Sequence, residues 1–229
     1  MAECKKTTFS KESLDFLFEN RLMDSKPWFL EHRSIYEEKV LEPMRQLVEA
    51  LTQTMLGIDE RMICEPKIGR SISRIYRDTR FSRDKSVFRE KIWCVFLRDK
   101  KLYDGLPAFF VEVTPDGFSY GCGYWMASTA SMARFRQFIL DDDRDYKAAR
   151  KAIESNKIFD LYAEKLKRTK YPDESEYKRE WLDMKNIGAI CYSMDFDLLF
   201  SDKLAEKLAE DLKTLAPFYR FLMKVETSK

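Results

Sequence analysis

The sequence AFFVEVTPDGFSYGCGYW, residues 108–125, determines the fold class predicted for this chain. The β-rich runs 108–114 and 118–125 flank a Thr-Pro-Asp-Gly turn, in which proline presets φ and glycine accepts a positive φ. This combination predicts an antiparallel hairpin. Residues 92–97 and 187–194 are also mostly apolar and β-rich, and they predict two further strands.

One side of the second predicted strand carries only small residues. These residues are Gly117, Ser119, Gly121 and Gly123, and they alternate with larger apolar and aromatic residues. Because side chains alternate across a strand, the small residues face one way and let another group approach closely. Two candidates for that group are a packed helix and a bound ligand.

Helical patterns precede the predicted strands. Ser10 can cap a first helix, and Asp24 or Ser25 can cap a second. The run 44–56 places its apolar residues on one stripe, which predicts an amphipathic helix. Pro43 is expected either to restart or to kink the helix at this point, because proline has no backbone N–H to donate.

Helical patterns also follow the predicted hairpin. One helix is predicted within residues 128–141, and another begins at the acidic run 141–143, where aspartate favours a helix N-terminus. The run 167–181 is polar and turn-rich, so a surface excursion is predicted there. A last helix is predicted to begin at Ser201 or Asp202.

The order α, β, α with hairpin-linked strands predicts the fold class. We expect a single α+β domain over residues 1–229, with an antiparallel sheet on which N-terminal and C-terminal helices pack. The composition agrees, because 45% hydrophobic and 14% aromatic residues are enough to build a sizeable core.

Composition and charge exclude several classes of protein. The 41 Lys and Arg and 39 Asp and Glu residues leave a net charge of +2, which argues against nucleic-acid binding through a global field. The sequence contains neither a secretory signal nor an apolar window of about eighteen residues, so no membrane partner is expected. Five widely spaced cysteines without a CxxC pair are expected to be reduced thiols, which predicts a cytoplasmic protein.

The familiar catalytic motifs do not occur in this sequence. It has no Walker A loop, no G-x-G-x-x-G and no G-x-S-x-G. The single histidine, His32, is interpreted as a solvated helix residue. One histidine also excludes a histidine-rich metal site, so no metal site is predicted, and the sequence indicates no particular cofactor.

Residues 67–91 form the densest charged stretch of the chain. They contain nine lysines and arginines but only three acidic residues, a large local surplus for a chain of near-neutral charge. The isoleucine spacing favours a short helix over 71–77, on which Arg70, Arg74 and Arg77 would share a face, although the alternation would also suit a strand. Guanidinium forks suit the bidentate capture of phosphate or carboxylate.

The chain resembles the bacterial family called domain of unknown function 2461. The likeness lies in R-I-Y-R-D-T-R-F-S at 74–82, D-K-S at 84–86 and Y-G-x-G-Y-W at 120–125, with Arg136 and Lys185 further along. It also includes apolar and aromatic residues of the N-terminal helical region, namely Phe9, Phe16, Leu17, Trp28, Phe29 and Tyr36 with Glu37. Where the family leads us to expect Pro-Tyr-Lys after the basic run, this chain has Val-Phe-Arg. The resemblance implies a single α+β domain and transfers no activity.

We therefore expect a site for a small molecule that carries phosphate or carboxylate, in either an enzyme or a binding protein. The predicted ligand-binding residues are Arg74, Arg77, Asp78, Arg80, Ser82, Asp84, Lys85, Trp125, Arg136 and Lys185. Two alternatives stay open: an interaction module whose basic segment binds an acidic protein or nucleic acid, and an ion-pair network that only fixes the shape of the loop. Phe81 and Phe88 are expected to anchor the loop in the core.

Overall fold

A computed structural model of the chain describes residues 8–80, 82–103 and 105–228. The helices before the sheet are α1 (Lys11–Met23), α2 (Lys26–Glu31), α3 (Arg33–Ile35), a π-helix (Tyr36–Leu41) and α4 (Glu42–Ile58). The later helices are α5 (Thr129–Leu140), α6 (Arg144–Glu154), α7 (Glu176–Leu182), α8 (Phe196–Leu199), α9 (Leu204–Thr214) and α10 (Ala216–Thr227). None of the described helices is long and apolar enough to cross a lipid bilayer.

The sheet consists of β1 (Ile92–Phe96), β2 (Pro107–Thr114), β3 (Gly117–Tyr124), β4 (Asp160–Lys165) and β5 (Met184–Ser193). Its strands lie in the order β1-β2-β3-β5-β4 and are antiparallel, so the α+β fold class is confirmed. The predictions of β1, β2, β3 and β5 are also confirmed. Strand β4 has no sequence signal, because none of its six residues is buried.

The described chain divides by its contacts into two compact units. The first contains the residues up to Phe96 together with Phe110–Ser119 and Tyr192–Ala209. The second contains Leu97–Phe109, Tyr120–Cys191 and the residues from Glu210 onward. Each unit is therefore built from segments that alternate along the sequence. That one domain extends over all of residues 1–229 stays a prediction.

In the first unit, the π-helix Tyr36–Leu41 has a local cause. Pro43 has no N–H, so the carbonyl of Lys39 lacks the donor that a regular α-helix would supply four residues later. The Ser13 hydroxyl on α1 donates to this carbonyl instead, at 2.5 Å. The chain continues from the widened turns directly into α4. Pro43 is therefore accommodated by a π-helix rather than by a break.

The predicted short helix over 71–77 is wrong. These residues run antiparallel to 87–95, with bridges between Ile72 and Cys94 and between Tyr76 and Phe88. The alternating pattern prevails because β1 offers backbone partners to the preceding segment: the Val95 N–H, for example, donates to the Ser71 carbonyl at 2.8 Å. The arginines of this segment consequently do not share a helical face. We call residues 71–95 the basic hairpin.

The backbone of the adjacent strand β5 lies against the small-residue side of β3 at Gly121 and Gly123. A Cβ atom built on Gly121 would lie 2.0 Å from the carbonyl oxygen of Ala189, and one on Gly123 would lie 2.3 Å from the Cα of Gly188. Both neighbours belong to β5, which is paired with β3. The close approach that the sequence predicts is therefore made at these glycines by the backbone of the adjacent strand and not by a packed helix, whereas ligand binding on this side stays a prediction.

The acidic run 141–143 caps α6 in the second unit, as predicted. The Asp143 Oδ1 accepts hydrogen bonds from the N–H groups of Asp145 at 2.8 Å and Tyr146 at 3.2 Å. Its Oδ2 accepts from Lys224 Nζ of α10 at 2.7 Å. One carboxylate thus caps α6 and also attaches it to α10.

Helix α7 begins within the run 167–181, where the sequence predicts a surface excursion, and ends at Leu182. Ser175 caps this helix by accepting a hydrogen bond from the Lys178 N–H, and Trp181 and Leu182 are buried at its end. The prediction is confirmed for 167–175, which contain no helix, no strand and no buried residue, and is wrong for 176–181, because a helix of seven residues with two buried side chains shows no helical period in its sequence.

Candidate functional site

Asp24 fixes the base of the basic hairpin in the first unit. This residue ends α1 in the left-handed conformation, with φ at 43°, which aspartate tolerates better than most side chains. Its Oδ1 accepts hydrogen bonds from the backbone N–H groups of Val87 at 2.7 Å and Phe88 at 3.0 Å. The end of α1 therefore positions the chain where it leaves the loop 78–86.

Asp78 and Arg80 form an exposed pair near the start of the loop 78–86. The Arg80 guanidinium donates to both carboxylate oxygens, through Nε at 2.9 Å and Nη2 at 2.7 Å. The Arg80 backbone N–H also donates to Asp78, at 3.2 Å. These hydrogen bonds lower the pKa of Asp78 to about 2. Arg80 is thus held in a bidentate pair within the loop.

Asp84 gathers donors from three parts of the first unit. Its Oδ1 accepts from the hydroxyl and N–H of Ser86, at 2.5 and 3.0 Å, and its Oδ2 pairs with Arg77 at 2.7 Å and with Arg21 of α1 at 3.3 Å. The hydrogen bonds from Ser86, followed by the charges of the two arginines, hold the pKa of Asp84 below its usual value. This ion pair therefore ties Arg77, which directly precedes the loop 78–86, to Asp84 within the loop.

Arg89 differs from Arg77 and Arg80, because no carboxylate among the described residues forms an ion pair with it. Its Nε donates to the Tyr76 carbonyl at 3.3 Å, and its guanidinium carbon lies 4.8 Å from the centre of the Trp93 ring. Burial, and then the nearby charge of Arg77, lower the pKa of Arg89, and Asp78 opposes this only in part. Positive charge at this point is therefore not neutralised by the loop.

Three other predicted ligand-binding residues lie on the same hairpin. Lys85 is exposed, and its Nζ donates to the Thr79 carbonyl at 2.8 Å, which closes the loop. Ser82 is half-buried, and its backbone N–H donates to the same carbonyl at 3.3 Å. Arg74 is exposed. The first unit thus brings seven of the ten predicted residues onto one hairpin.

Aromatic rings pack beneath the hairpin. Phe88 is fully buried, as predicted, and its ring lies 5.1 Å from that of Phe29 and 4.9 Å from that of Tyr76. The other predicted anchor, Phe81, lies outside the described residues. The Phe88 contacts hold the returning strand of the hairpin rigidly against α2.

The three remaining predicted residues belong to the second unit. Trp125 is 92% exposed, and Lys185 is also exposed. The Arg136 guanidinium donates to the carbonyls of Leu182 at 2.8 Å, Met132 at 3.1 Å and Met184 at 2.6 Å. Because three backbone carbonyls already occupy this guanidinium, its nitrogen atoms are engaged within the second unit.

The sequence alone did not assign Arg21, Arg89 or Trp93 to the site. Arg21 reaches Asp84 across 63 residues of sequence, and only the placement of α1 reveals the contact. Arg89 belongs to the charged stretch, but its lack of a carboxylate partner depends on the hairpin geometry. Trp93 has the β-strand pattern of β1, in which an aromatic residue is ordinary.

His32 is half-buried rather than solvated. Its ring stacks on Trp28 with the ring centres 4.1 Å apart, and its Nδ1 donates to the Trp28 carbonyl at 2.8 Å. Within the described ranges, no three His, Cys, Asp or Glu side chains are grouped so that they could hold a metal ion. The described cysteines that are free of disulfides are Cys64, Cys94, Cys122 and Cys191, and Cys4 lies outside the described residues.

The fold is that of an α+β protein, and its candidate site is a cationic hairpin on an aromatic base. A model of the family described as conserved hypothetical protein (DUF2461) matches residues 12–221. The chain therefore belongs to the domain of unknown function 2461 family, as its basic run and glycine-rich strand predict. No curated protein matches the chain.

Proposed function

We propose that the basic hairpin binds a small molecule that carries a phosphate or carboxylate group. The observation that carries this proposal is Arg89, whose guanidinium is fixed between Trp93 and the Tyr76 carbonyl and has no carboxylate partner among the described residues. Its Nη1 and Nη2 are the donors that a bidentate anion would use. A fixed fork loses little freedom on binding, which favours affinity.

The paired arginines have a different role in this proposal. Arg80 and Arg77 are bound to Asp78 and Asp84, so they shape the loop and add to its positive potential. Lys85 closes the loop through Thr79 and keeps two further N–H donors on its exposed ammonium group. The ion-pair network of the hairpin and an anion site are therefore compatible, because they use different cations.

Isothermal titration calorimetry with inorganic phosphate and with citrate tests the proposal. We expect saturable binding of at least one of these anions, and affinity that falls as salt increases. Arg89→Gln should weaken binding about tenfold or more, since it removes a charge-assisted bidentate contact. Arg89→Lys should give intermediate affinity, because the charge stays while the fork is lost.

Lys11→Gln is the matched control for the loss of one positive charge. Lys11 lies ten residues before Arg21 on α1, which places it about 15 Å further along the helix. This variant should bind phosphate and citrate like the unmodified protein. The proposal fails if neither anion binds, or if Arg89→Gln and Lys11→Gln behave alike.

We also infer a cytoplasmic location. The support comes from the described cysteines, which form no disulfide, as is usual for proteins of a reducing compartment. Alkylation of intact cells followed by mass spectrometry would check it. Cysteines found oxidised in a native extract would contradict this inference.

A further inference from the structure

We propose that the basic hairpin binds the dianion of a phosphate monoester, which bridges Arg89 and Arg77, in preference to a carboxylate or a phosphate diester. This inference rests on the anion site proposed above and specifies the class of molecule that the site binds. Three observations carry it: the two arginines share one face of the hairpin, the carboxylate beside Arg77 is divided between two arginines, and the positive surplus at this face exceeds one charge.

The backbone pairing of the hairpin puts Arg77 and Arg89 on the same face. The Arg77 N–H donates to the Val87 carbonyl at 2.8 Å. The Arg89 N–H donates to the Ile75 carbonyl at 2.9 Å. Because side chains alternate across each strand, both arginines lie on the face opposite to Tyr76. Residues in this diagonal relationship are about 7–8 Å apart, which lets two long side chains reach the same anion.

The carboxylate of Asp84 compensates Arg77 only in part. Its Oδ2 lies 2.7 Å from the Arg77 Nη1 and also 3.3 Å from the Arg21 Nη2, so one negative charge faces two positive charges. Among the described residues nothing accepts a hydrogen bond from the Nε or Nη2 of Arg77. Arg77 therefore serves the ion-pair network with one nitrogen atom and keeps donors for an anion.

Two ion pairs beside this face are each neutral as a whole. Arg80 forms the bidentate pair with Asp78. Lys91 is paired with Glu112 of β2 at 2.9 Å, and its ammonium group lies 5.9 Å from the centre of the Trp93 ring. The electrostatic surplus at this face consequently depends on the other charged groups.

Those other groups leave a surplus of at least two positive charges. They comprise one carboxylate, that of Asp84, and three guanidinium groups, those of Arg21, Arg77 and Arg89. Lys85 adds an exposed ammonium group on the same loop. Burial, and then the nearby charge of Arg77, lower the pKa of Arg89, which agrees with the positions of the two arginines. A dianion compensates this surplus, whereas a monoanion leaves part of it uncompensated.

A phosphate monoester has the charge and the oxygen atoms that this arrangement needs. Its second ionisation has a pKa of about 6, so it carries nearly two negative charges at neutral pH and offers three acceptor oxygens. The Arg89 fork engages two of these oxygens, and Arg77 reaches the third. A carboxylate or a phosphate diester has two such oxygens and a single charge, so Arg89 alone is enough to bind it.

NMR titration of the full chain with methyl phosphate and methyl sulfate tests this inference, with the backbone amide signals of Arg77 and Arg89 as the readout. The two esters have the same shape and differ by one negative charge at pH 7. Methyl phosphate should bind about tenfold more tightly at this pH, because the site compensates its second charge.

The preference for methyl phosphate should nearly vanish at pH 5. Protonation makes this ester a monoanion, so its affinity should come within about twofold of that of methyl sulfate. Methyl sulfate keeps one charge at both pH values and controls for changes in the protein. The pKa of Asp78 is about 2 and that of Asp84 is below its usual value, so both stay ionised over this range. A preference that persists undiminished at pH 5 would contradict the inference.

Substitution of the two arginines should affect the esters differently. Arg77→Gln should weaken methyl phosphate about fivefold to tenfold at pH 7 and leave methyl sulfate unchanged, because only the dianion uses Arg77. Arg89→Gln should weaken both esters. Lys11→Gln is the matched control, since it also removes an ion-paired positive charge from the first unit and should change neither affinity. Equal effects of Arg77→Gln on the two esters would overturn the bridging role.

Asp84→Asn tests the same role if Arg77→Gln does not fold. It removes the negative charge that competes for Arg77, while asparagine keeps an acceptor oxygen for Ser86. Methyl phosphate should then bind about threefold more tightly or better at pH 7, because the local surplus increases by one charge. Unchanged or weaker binding would show that Asp84 and Arg77 only fix the shape of the loop.

The remaining outcomes distinguish the two proposals. If both esters bind with equal affinity at pH 7, or if neither binds although inorganic phosphate or citrate does, the monoester inference is wrong and the anion site stands. If none of these four anions binds, both proposals are wrong. A short peptide with one phosphoserine should bind no more tightly than methyl phosphate. If it binds about tenfold more tightly or better, the monoester belongs to a phosphorylated protein, and the assignment of a small molecule is wrong.

Discussion

A single carboxylate oxygen of Asp24 accepts the backbone N–H of Val87 at 2.7 Å, and it accepts the next N–H along the chain as well. The two residues are 63 positions apart, so the end of α1 and the basic hairpin are ordered together. Everything that we propose for the hairpin depends on this attachment, because Arg89 follows directly after the two bonded amides.

Asp24→Ala should lower the free energy of unfolding by about 3 kcal/mol. It leaves two backbone N–H groups without an acceptor and puts alanine at a left-handed position. Asp24→Asn should cost only about 1 kcal/mol, since asparagine tolerates this conformation and keeps one acceptor oxygen. Urea unfolding measures both, and the exposed Glu19→Ala on the same helix serves as a control near zero. Equal effects of the alanine and asparagine variants would contradict the role of the Asp24 side chain as acceptor for the two backbone N–H groups.

The π-helix provides a test by a double-mutant cycle. Ser13→Ala should cost about 1–2 kcal/mol in the unmodified protein, because the Lys39 carbonyl loses its donor. Pro43→Ala introduces an N–H that can donate to the same carbonyl, so Ser13→Ala should cost about 0.5–1 kcal/mol less in that background. Urea unfolding of the four proteins gives the coupling energy. A coupling of zero would mean that Pro43 does not cause the widened turn.

Two glycine substitutions should have opposite effects. Gly121→Ala should lower the free energy of unfolding by more than about 3 kcal/mol or prevent folding, because the added Cβ would lie 2.0 Å from a carbonyl oxygen of β5. Gly57→Ala should stabilise α4 by about 0.5–1 kcal/mol, since no atom lies within 4 Å of the added Cβ. Thermal and urea unfolding compare them. If the two substitutions had similar effects, the closeness of β5 would not be the reason that position 121 requires glycine.

The ion pairs of the loop predict a local transition at low pH. The folded pKa of Asp78 is about 2, below its usual 3.8, so the pair with Arg80 stabilises the loop above pH ~4 and is lost as the pH falls through about 2. The amide resonance of Arg80, which donates to Asp78, should titrate with that midpoint in an NMR series.

Arg80→Gln should raise the Asp78 midpoint towards 3.8, because the carboxylate loses its bidentate partner. The amide of Ser86 reports on Asp84 instead and should keep its midpoint in this variant. A midpoint near 3.8 for the Arg80 amide signal in the unmodified protein would show that the pair of Asp78 and Arg80 does not form in solution.

The sequence predicts elements that have a clear local period. The amphipathic run that forms α4 and the alternating strand β2 are found because burial of one face repeats within each element. Strand β4 is missed because it has no buried residue and is defined by backbone pairing with β5, and helix α7 is missed because its two buried residues lie together at its end. Strand β4 for instance pairs Leu161 with Ala189 and Tyr162 with Gly188 along β5.

The sequence predicts which segment contains the candidate site, but it does not predict which residues of that segment contact one another. Charge density identifies the segment that contains Arg77, Asp78 and Arg80. The sequence could not reveal that Asp84 would be shared with Arg21, or that Arg89 would lack such a partner, because both facts depend on α1 and β1 meeting the hairpin. The helix predicted over 71–77 fails for the same reason, since backbone partners on the following strand outweigh the isoleucine spacing.

The alternation of the two units along the sequence has a consequence for biosynthesis. The first unit needs residues as late as Ala209, and the second begins at Leu97 and needs residues beyond Glu210. During synthesis the first unit is therefore complete only once Ala209 has been made, and the second only once residues beyond Glu210 have been made. Fragments that end after α4 or after β3 lack later segments of the first unit, so the apolar surface that those segments cover in the complete unit stays exposed.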